Sequence, residues 1–171
     1  MFRHYLRLMI FGAGLLGGIQ VPGFIDQYVK RVDAQWRESQ QNLSGFQDTA
    51  DRYFDGSLLR LIAHYRSSKD RVFVSDADNI ENIMLRNQRL KTHLTQLDAP
   101  LVTQIWVIAS NADVDILQRT REVYSYVVLL TPEAVAVGLI MALLFAVLGD
   151  GSIWIMKIAI TGRRKRSPMI R

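Results

Sequence analysis

Apolar and polar positions segregate along this chain into two uncharged blocks, one toward each end, with two seams of helical spacing between them. The later block opens at Thr131-Pro-Glu-Ala134, stays uncharged to Leu148, then passes Gly149-Asp-Gly-Ser152 into a shorter apolar piece, 153–160. Thr131 is a natural N-cap, Pro132 suits a first turn, where a missing N–H costs nothing, and Glu133 complements the positive end of the dipole. At 1.5 Å per residue, about 20 residues cross a hydrocarbon core of roughly 30 Å. A transmembrane helix over 131–153 is therefore expected, with Trp154 in the aromatic belt and Lys157 reaching for headgroups. The earlier block, 8–25, is just long enough to cross as well. It follows Arg3, His4 and Arg7 as a signal peptide would. The run is long, however, and Val21-Pro22-Gly23 is a poor cleavage site, so a retained anchor is expected.

Past the first block, Ile25, Val29, Val32, Trp36, Leu43, Phe46, Ala50 and Tyr53 form an apolar seam at spacings of three and four, broken only by Ser39. Asp55-Gly56 ends that helix, and Ser57 caps a short one carrying Leu58, Leu59, Leu61, Ile62 and Tyr65. Val72-Phe-Val74 reads as an extended linker, and Ser75 opens the next helix with Asp76 and Asp78 in its first turn. Its seam is Ile80, Ile83, Asn87, Leu90, Leu94 and Leu97, ending before Pro100. The two amphipathic helices can lie antiparallel and bury their seams on each other, or those seams can close between chains. Asn87 either sets register or faces a wet gap. Residues 101–109 and 114–128 read as shorter helices returning the chain to the membrane.

The fold class is thus all-α: two transmembrane helices flanking a helical, coiled-coil-like hairpin or bundle outside the cytoplasm. The divisions are 1–7, a cytoplasmic N-terminus; 8–25, the first span; 26–130, the extracytoplasmic domain; 131–153, the second span; and 154–171, an interfacial segment and basic cytoplasmic tail. Gly14 and Gly18 form G-x-x-x-G, and Gly138 with Ala142 offers a similar face on the second span. The natural inference is that the spans pack on each other, although glycine is also simply common in membrane helices.

Composition sharpens this picture. In 171 residues, 49% hydrophobic content beside 22% charge requires segregation into runs. The net charge of +5 belongs to the ends, because residues 26–122 hold 13 basic and 14 acidic side chains. Nucleic-acid binding is not expected, since the basic residues flank apolar runs and do not cover one face of a domain. Arg163, Arg164, Lys165 and Arg166, supported by Arg3 and Arg7 against Lys30 and Arg31, place both termini in the cytoplasm. That tail acts chiefly as a topology anchor, and it also attracts anionic lipid headgroups at about 1 kcal/mol per residue.

Candidate chemistry is sparse. Cysteine is absent, which removes disulfides and thiolate metal sites and leaves the compartment open. His4, His64 and His93 show no metal-ligand spacing, although His64 near Asp70 or Asp76 is conceivable. Asp76, Asp78 and Glu81 read as dipole-complementing residues before they read as a divalent-ion site. Gly149-Asp-Gly-Ser152 lacks the lysine and flanking strand of a phosphate loop, and a helix bend explains it better. No nucleophile pairs with a base, so neither enzyme nor cofactor is expected.

The glycine-rich start running into Gln20-Val-Pro22, Phe24-Ile-Asp-Gln-Tyr28 with Arg31-Val32, Ala50-Asp-Arg-Tyr-Phe-Asp-Gly56 before Leu61-Ile-Ala-His64, and Leu130-Thr-Pro-Glu-Ala134 together resemble the domain-of-unknown-function 2937 family. The resemblance covers nearly the whole chain, departs at Gly149-Asp-Gly151 and the short tail, and implies a small, helix-rich, two-span protein of the bacterial inner membrane. It implies no activity. The expected function is a non-enzymatic, partner-binding or accessory subunit acting through its periplasmic helical domain, its partner a second copy or another inner-membrane protein. The alternative is a periplasmic ligand or envelope-stress sensing module.

Overall fold

The structure, a computed structural model, describes residues 2–125 and 131–164, with side chains for 4–125 and 131–149. Every regular element among them is an α-helix: α1 (Phe2–Tyr53), α2 (Leu58–Arg66), α3 (Arg71–Leu97), α4 (Leu101–Asn111), α5 (Val114–Val123) and α6 (Pro132–Arg164). They fold into two compact units, one of Met1–Phe24 with Tyr124–Arg171, the other Ile25–Val123. Two helices, α1 and α6, are long and apolar enough to cross a membrane.

The first unit pairs the start of α1 with α6. A Cβ added at Gly18 would lie 2.8 Å from the Gly138 Cα, one at Gly14 would lie 3.1 Å from the Ala142 Cα, and one at Gly149 would lie 3.1 Å from Ile10. As α1 steps forward α6 steps back, so the two run antiparallel. On α6 the buried stripe is Ala134, Gly138, Ala142 and Ala146, one small residue every fourth position. Larger side chains such as Leu139, Leu143 and Val147 point away and are exposed. Thr131 caps the helix, its Oγ1 accepting the Ala134 N–H at 3.2 Å. The bend read into Gly149-Asp-Gly-Ser152 does not interrupt α6, which stays helical to Arg164. Continuing the ladder keeps backbone groups paired, and that outweighs the roughly 1 kcal/mol that glycine costs in a helix interior. Leaving α5 at Val123, the chain joins this unit through Tyr124, whose hydroxyl donates to the Gln20 carbonyl at 3.0 Å and whose ring meets Phe24 edge-on at 5.4 Å. The helix expected over 114–128 therefore ends at Val123; 126–130 lie outside the described residues, as do the side chains of Asp150, Trp154, Lys157 and the Arg163–Arg166 cluster.

In the second unit α1 and α3 lie antiparallel. Tyr28 meets His93, Gln35 and Trp36 meet Arg86 and Asn87, and Ser39 reaches the Ile83 carbonyl, so that from 28 to 39 along α1 the partner on α3 falls from 93 to 83. Both seams thus close within one chain. Their turn-end core is Leu43, Ile62, Ala77 and Ile80, with Phe46, Leu58, Tyr65, Ile83 and Met84 packed on it. The turn is made by Asp55 at φ 52° and Gly56 at φ 76°, where the Gly56 N–H returns to the Ala50 carbonyl at 3.0 Å. Ser57 then caps α2 by accepting from the Arg60 N–H.

Three details differ from the sequence pattern. Val72-Phe-Val74 is not an extended linker but the first turn of α3, because Asp70, five residues ahead of Ser75, takes the cap and accepts the Val72 N–H at 2.9 Å. Phe73 then stacks edge-on against Tyr65, with centroids 5.2 Å apart, a tertiary contact that overrides the β-branched preference of its neighbours. Asp78 consequently sits beyond the first turn and, with Glu81, binds the Arg66 guanidinium at 2.8 and 2.7 Å. Tyr53, the last seam position, is 75% exposed, because the helix ends there and no part of α3 reaches it.

Candidate functional site

Of the seam positions, Val32, Leu43 and Leu90 are buried, while Val29, Trp36, Phe46, Ile83, Asn87 and Leu94 are half-buried. The polar pair works across the seam: the Ser39 hydroxyl points at the Ile83 carbonyl at 3.4 Å and the Asn87 amide at the Trp36 carbonyl at 3.5 Å. These are long, weak bonds whose value is register rather than energy. The Trp36 Nε1 is buried and has no hydrogen-bond partner among the described residues.

The most enclosed polar group lies at the other end of the hairpin and was not legible as a seam position. Tyr28 is fully buried, its hydroxyl accepting the Asp113 N–H at 3.0 Å and meeting His93 Nε2 at 2.9 Å. The hydroxyl can direct its own hydrogen to Nε2, the arrangement that goes with an imidazole proton on Nδ1. The rings of Tyr28 and His93 meet edge-on at 5.8 Å. Burial pushes the Tyr28 phenol up and the His93 imidazole down, and the neighbouring Asp113 and Gln96 oppose the second shift. Both groups are held neutral by the same loss of water.

This node forms one wall of a cleft of about 560 Å³ between α3 and the α4–α5 turn. Arg86, Arg89 and Arg119 line it together with Asp113 and Asp115. Asp113 is held there for a local reason: its Oδ1 caps α5 by accepting the N–H groups of Asp115 and Ile116 at 3.0 and 3.2 Å. Arg86 donates to the Gln35 side chain at 3.0 Å. Arg89 and Arg119 form no ion pair among the described residues. The cleft is therefore positive, polar and of small-ligand size. Its arginines read in sequence as solvated helix faces, and only the return of α5 to α3 brings them together.

Elsewhere the candidate chemistry resolves into structure. His64 stacks on Phe54 with centroids 5.3 Å apart, and no cluster of three potential metal ligands occurs among the described residues.

A family model described as protein of unknown function (DUF2937) matches residues 2–163. The chain belongs to the DUF2937 family. No curated protein and no solved structure matches it. For this DUF2937 protein the geometry of its own residues carries the functional argument.

One consequence of the node concerns pH. The His93 value is depressed in the fold, so the native state binds fewer protons than the unfolded chain as pH falls through about 6.5. Stability is full above that value and declines below it, because a charged imidazole there lacks the water it has in the unfolded chain, and the Asp113 carboxylate and Gln96 side chain offset only part of that loss. Thermal unfolding of the full chain in micelles between pH 7 and pH 5 is expected to show a steeper loss for the natural protein than for His93→Gln. Equal slopes would remove His93 from the account.

Proposed function

We propose that this is a two-span protein of the bacterial inner membrane, with both termini cytoplasmic, whose extracytoplasmic helical domain is a non-enzymatic binding module for a small anionic ligand. The membrane part is supported by α6, whose Val135, Leu139, Ile140, Leu143, Leu144, Phe145, Val147 and Leu148 are exposed together, a contiguous apolar surface that water does not tolerate. The orientation is supported by the basic residues at Arg3, Arg7 and 163–166.

The binding part rests on one observation: Arg89 and Arg119, from different helices, line one cleft with Arg86, three guanidinium groups against the carboxylates of Asp113, which caps α5, and Asp115. Guanidinium groups in that arrangement suit carboxylate or phosphate oxygens, which they grip in pairs. The accessory-subunit reading drew on surfaces seeking partners, and here the seams and the small-residue faces are occupied within the chain. A sensing role is the reading we favour, because a ligand held by Arg89 of α3 and Arg119 of α5 would fix two helices of the domain to each other.

The test is a thermal-shift titration of the full chain in lipid nanodiscs with inorganic phosphate and with di- and tricarboxylates at matched ionic strength. A saturable rise in Tm is expected; at a ligand concentration of about 100 Kd the stabilisation is about 2.7 kcal/mol. The double variant Arg89→Gln/Arg119→Gln is expected to unfold at the natural temperature and to lose the shift. Absence of any shift beyond that of added salt would overturn the reading.

A further inference from the structure

Of the side chains that line the arginine cleft, His93 alone changes charge near neutral pH. Its neighbours come from three parts of the unit. From α1, the Tyr28 hydroxyl meets Nε2 at 2.9 Å. From α3, the Gln96 side chain bonds the ring, and Arg86 and Arg89 share the cleft wall with it. From the α4–α5 turn and α5 come Asp113, Asp115 and Arg119. Tyr28 stays uncharged, so three guanidinium groups face two carboxylates. The cleft therefore carries one positive charge with a neutral imidazole and two with a protonated one.

Protonation of this ring is opposed by its own contacts. With the phenol hydrogen directed at Nε2, a proton added there turns that nitrogen from acceptor to donor. The Tyr28 oxygen, which already accepts the Asp113 N–H at 3.0 Å, must then take a second N–H, and the phenol hydrogen loses its acceptor. Lost hydration adds to that cost, and the Asp113 carboxylate returns only part of it. A bound anion shifts the balance. A cleft of about 560 Å³ is roughly 10 Å across, on the order of one Debye length, so a negative charge held in it is felt at the imidazole. A monoanion already matches the cleft with His93 neutral. A dianion matches it only with His93 charged.

We propose that the cleft takes up a dianion together with one proton, which passes from solvent to His93, so that affinity rises as pH falls. This rests on reading the cleft as an anion site. The ligand class it selects is a compact molecule with two negative charges, a dicarboxylate or a doubly ionised phosphate ester, over a monocarboxylate. Linkage makes the coupling reciprocal: the proton tightens the dianion by the same factor by which the dianion tightens the proton.

Sulfate is the probe, because it keeps both charges across the pH range of the test. Isothermal titration of the full chain in micelles, at constant ionic strength and at pH 7.5 and 5.5, gives Kd. Repeating it in buffers of different ionisation enthalpy counts the protons. The natural protein is expected to bind sulfate about five-fold or more tightly at pH 5.5, the lower end of ordinary coupling between two sites, and to take up at most one proton per sulfate. Methyl sulfate, with similar oxygens and a single charge, is expected to show a smaller pH effect. His93→Gln keeps an acceptor for Tyr28 and cannot charge, so its Kd for sulfate is expected to be the same at both pH values, with no proton taken up. The chain has three histidines, and His4→Gln/His64→Gln is expected to keep the coupling. Equal Kd at the two pH values in the natural protein, a pH effect that survives His93→Gln, or equal coupling for methyl sulfate overturns the proposal. Should His93→Gln not fold, the proton count on the natural protein decides: none taken up overturns it. Saturable sulfate binding without a pH effect sinks this inference alone, whereas no saturable binding of sulfate or of a dicarboxylate at either pH sinks the anion reading with it.

Discussion

Replacing Tyr28 by alanine is expected to cost the helical domain about 3–5 kcal/mol, the scale for deleting a fully buried aromatic ring. Tyr28→Phe keeps the ring and removes only the hydroxyl, leaving the Asp113 N–H and the His93 Nε2 without their shared partner, and is expected to cost about 1–3 kcal/mol. The two substitutions separate packing from hydrogen bonding at one position. Chemical unfolding of the full chain in micelles, followed by helical circular dichroism, measures both. The phenylalanine variant also predicts a functional change, because Asp113 positions the start of α5 and with it Arg119. A Tyr28→Phe protein as stable as the natural one would mean that the hydroxyl bridge between α1, α3 and the α5 cap carries no energy.

Tyr28 also shows where sequence reading stops. The spacing 25, 28, 32 is as helical as 25, 29, 32, and both tracks fit the same pattern. Val29 takes the seam on hydropathy, yet it ends half-buried while Tyr28 is fully enclosed. What decides between them is Asp113, 85 residues away, which no periodicity reports. The parts that were legible are those governed by local physics: the Asp55-Gly56 turn, the Ser57 and Thr131 caps, and the spacing of Leu43, Ile80 and Leu90. Val72-Phe-Val74 reads as extended from its β-branched residues alone, whereas the Asp70 cap and the Tyr65 ring make it the first turn of α3. The arginine cleft was out of reach for a related reason: Arg86 and Arg89 lie on one helix and Arg119 on another, and each looks solvated until the chain turns at Ala112.

Four glycines on α1 provide the second large effect and its internal control. A Cβ at Gly18 would approach the Gly138 Cα to 2.8 Å, and one at Gly138 would approach Ile19 Cγ1 to 2.5 Å, whereas Gly12 and Gly17 have nothing within 4 Å. Backbone cannot move aside as a side-chain end can, so Gly18→Leu must push the two helices apart along the small-residue stripe. Overpacking of this kind costs about 1–3 kcal/mol locally, and the loss of close contact at Gly14 and Ala142 adds to it. Gly17→Leu adds the same bulk one position away, on the open side, where removing a glycine from a helix interior is worth up to about 1 kcal/mol in the opposite direction. Gly14→Leu should follow Gly18→Leu, and Gly12→Leu should follow Gly17→Leu. Denaturation of the four variants in micelles, with energy transfer between labels on residues 5 and 147 reporting α1–α6 proximity, reads the contrast directly. If Gly17→Leu and Gly18→Leu separate the helices equally, the stripe does not hold them together. If only Gly14→Leu and Gly18→Leu do, the four-residue spacing of small side chains is what pairs α1 with α6.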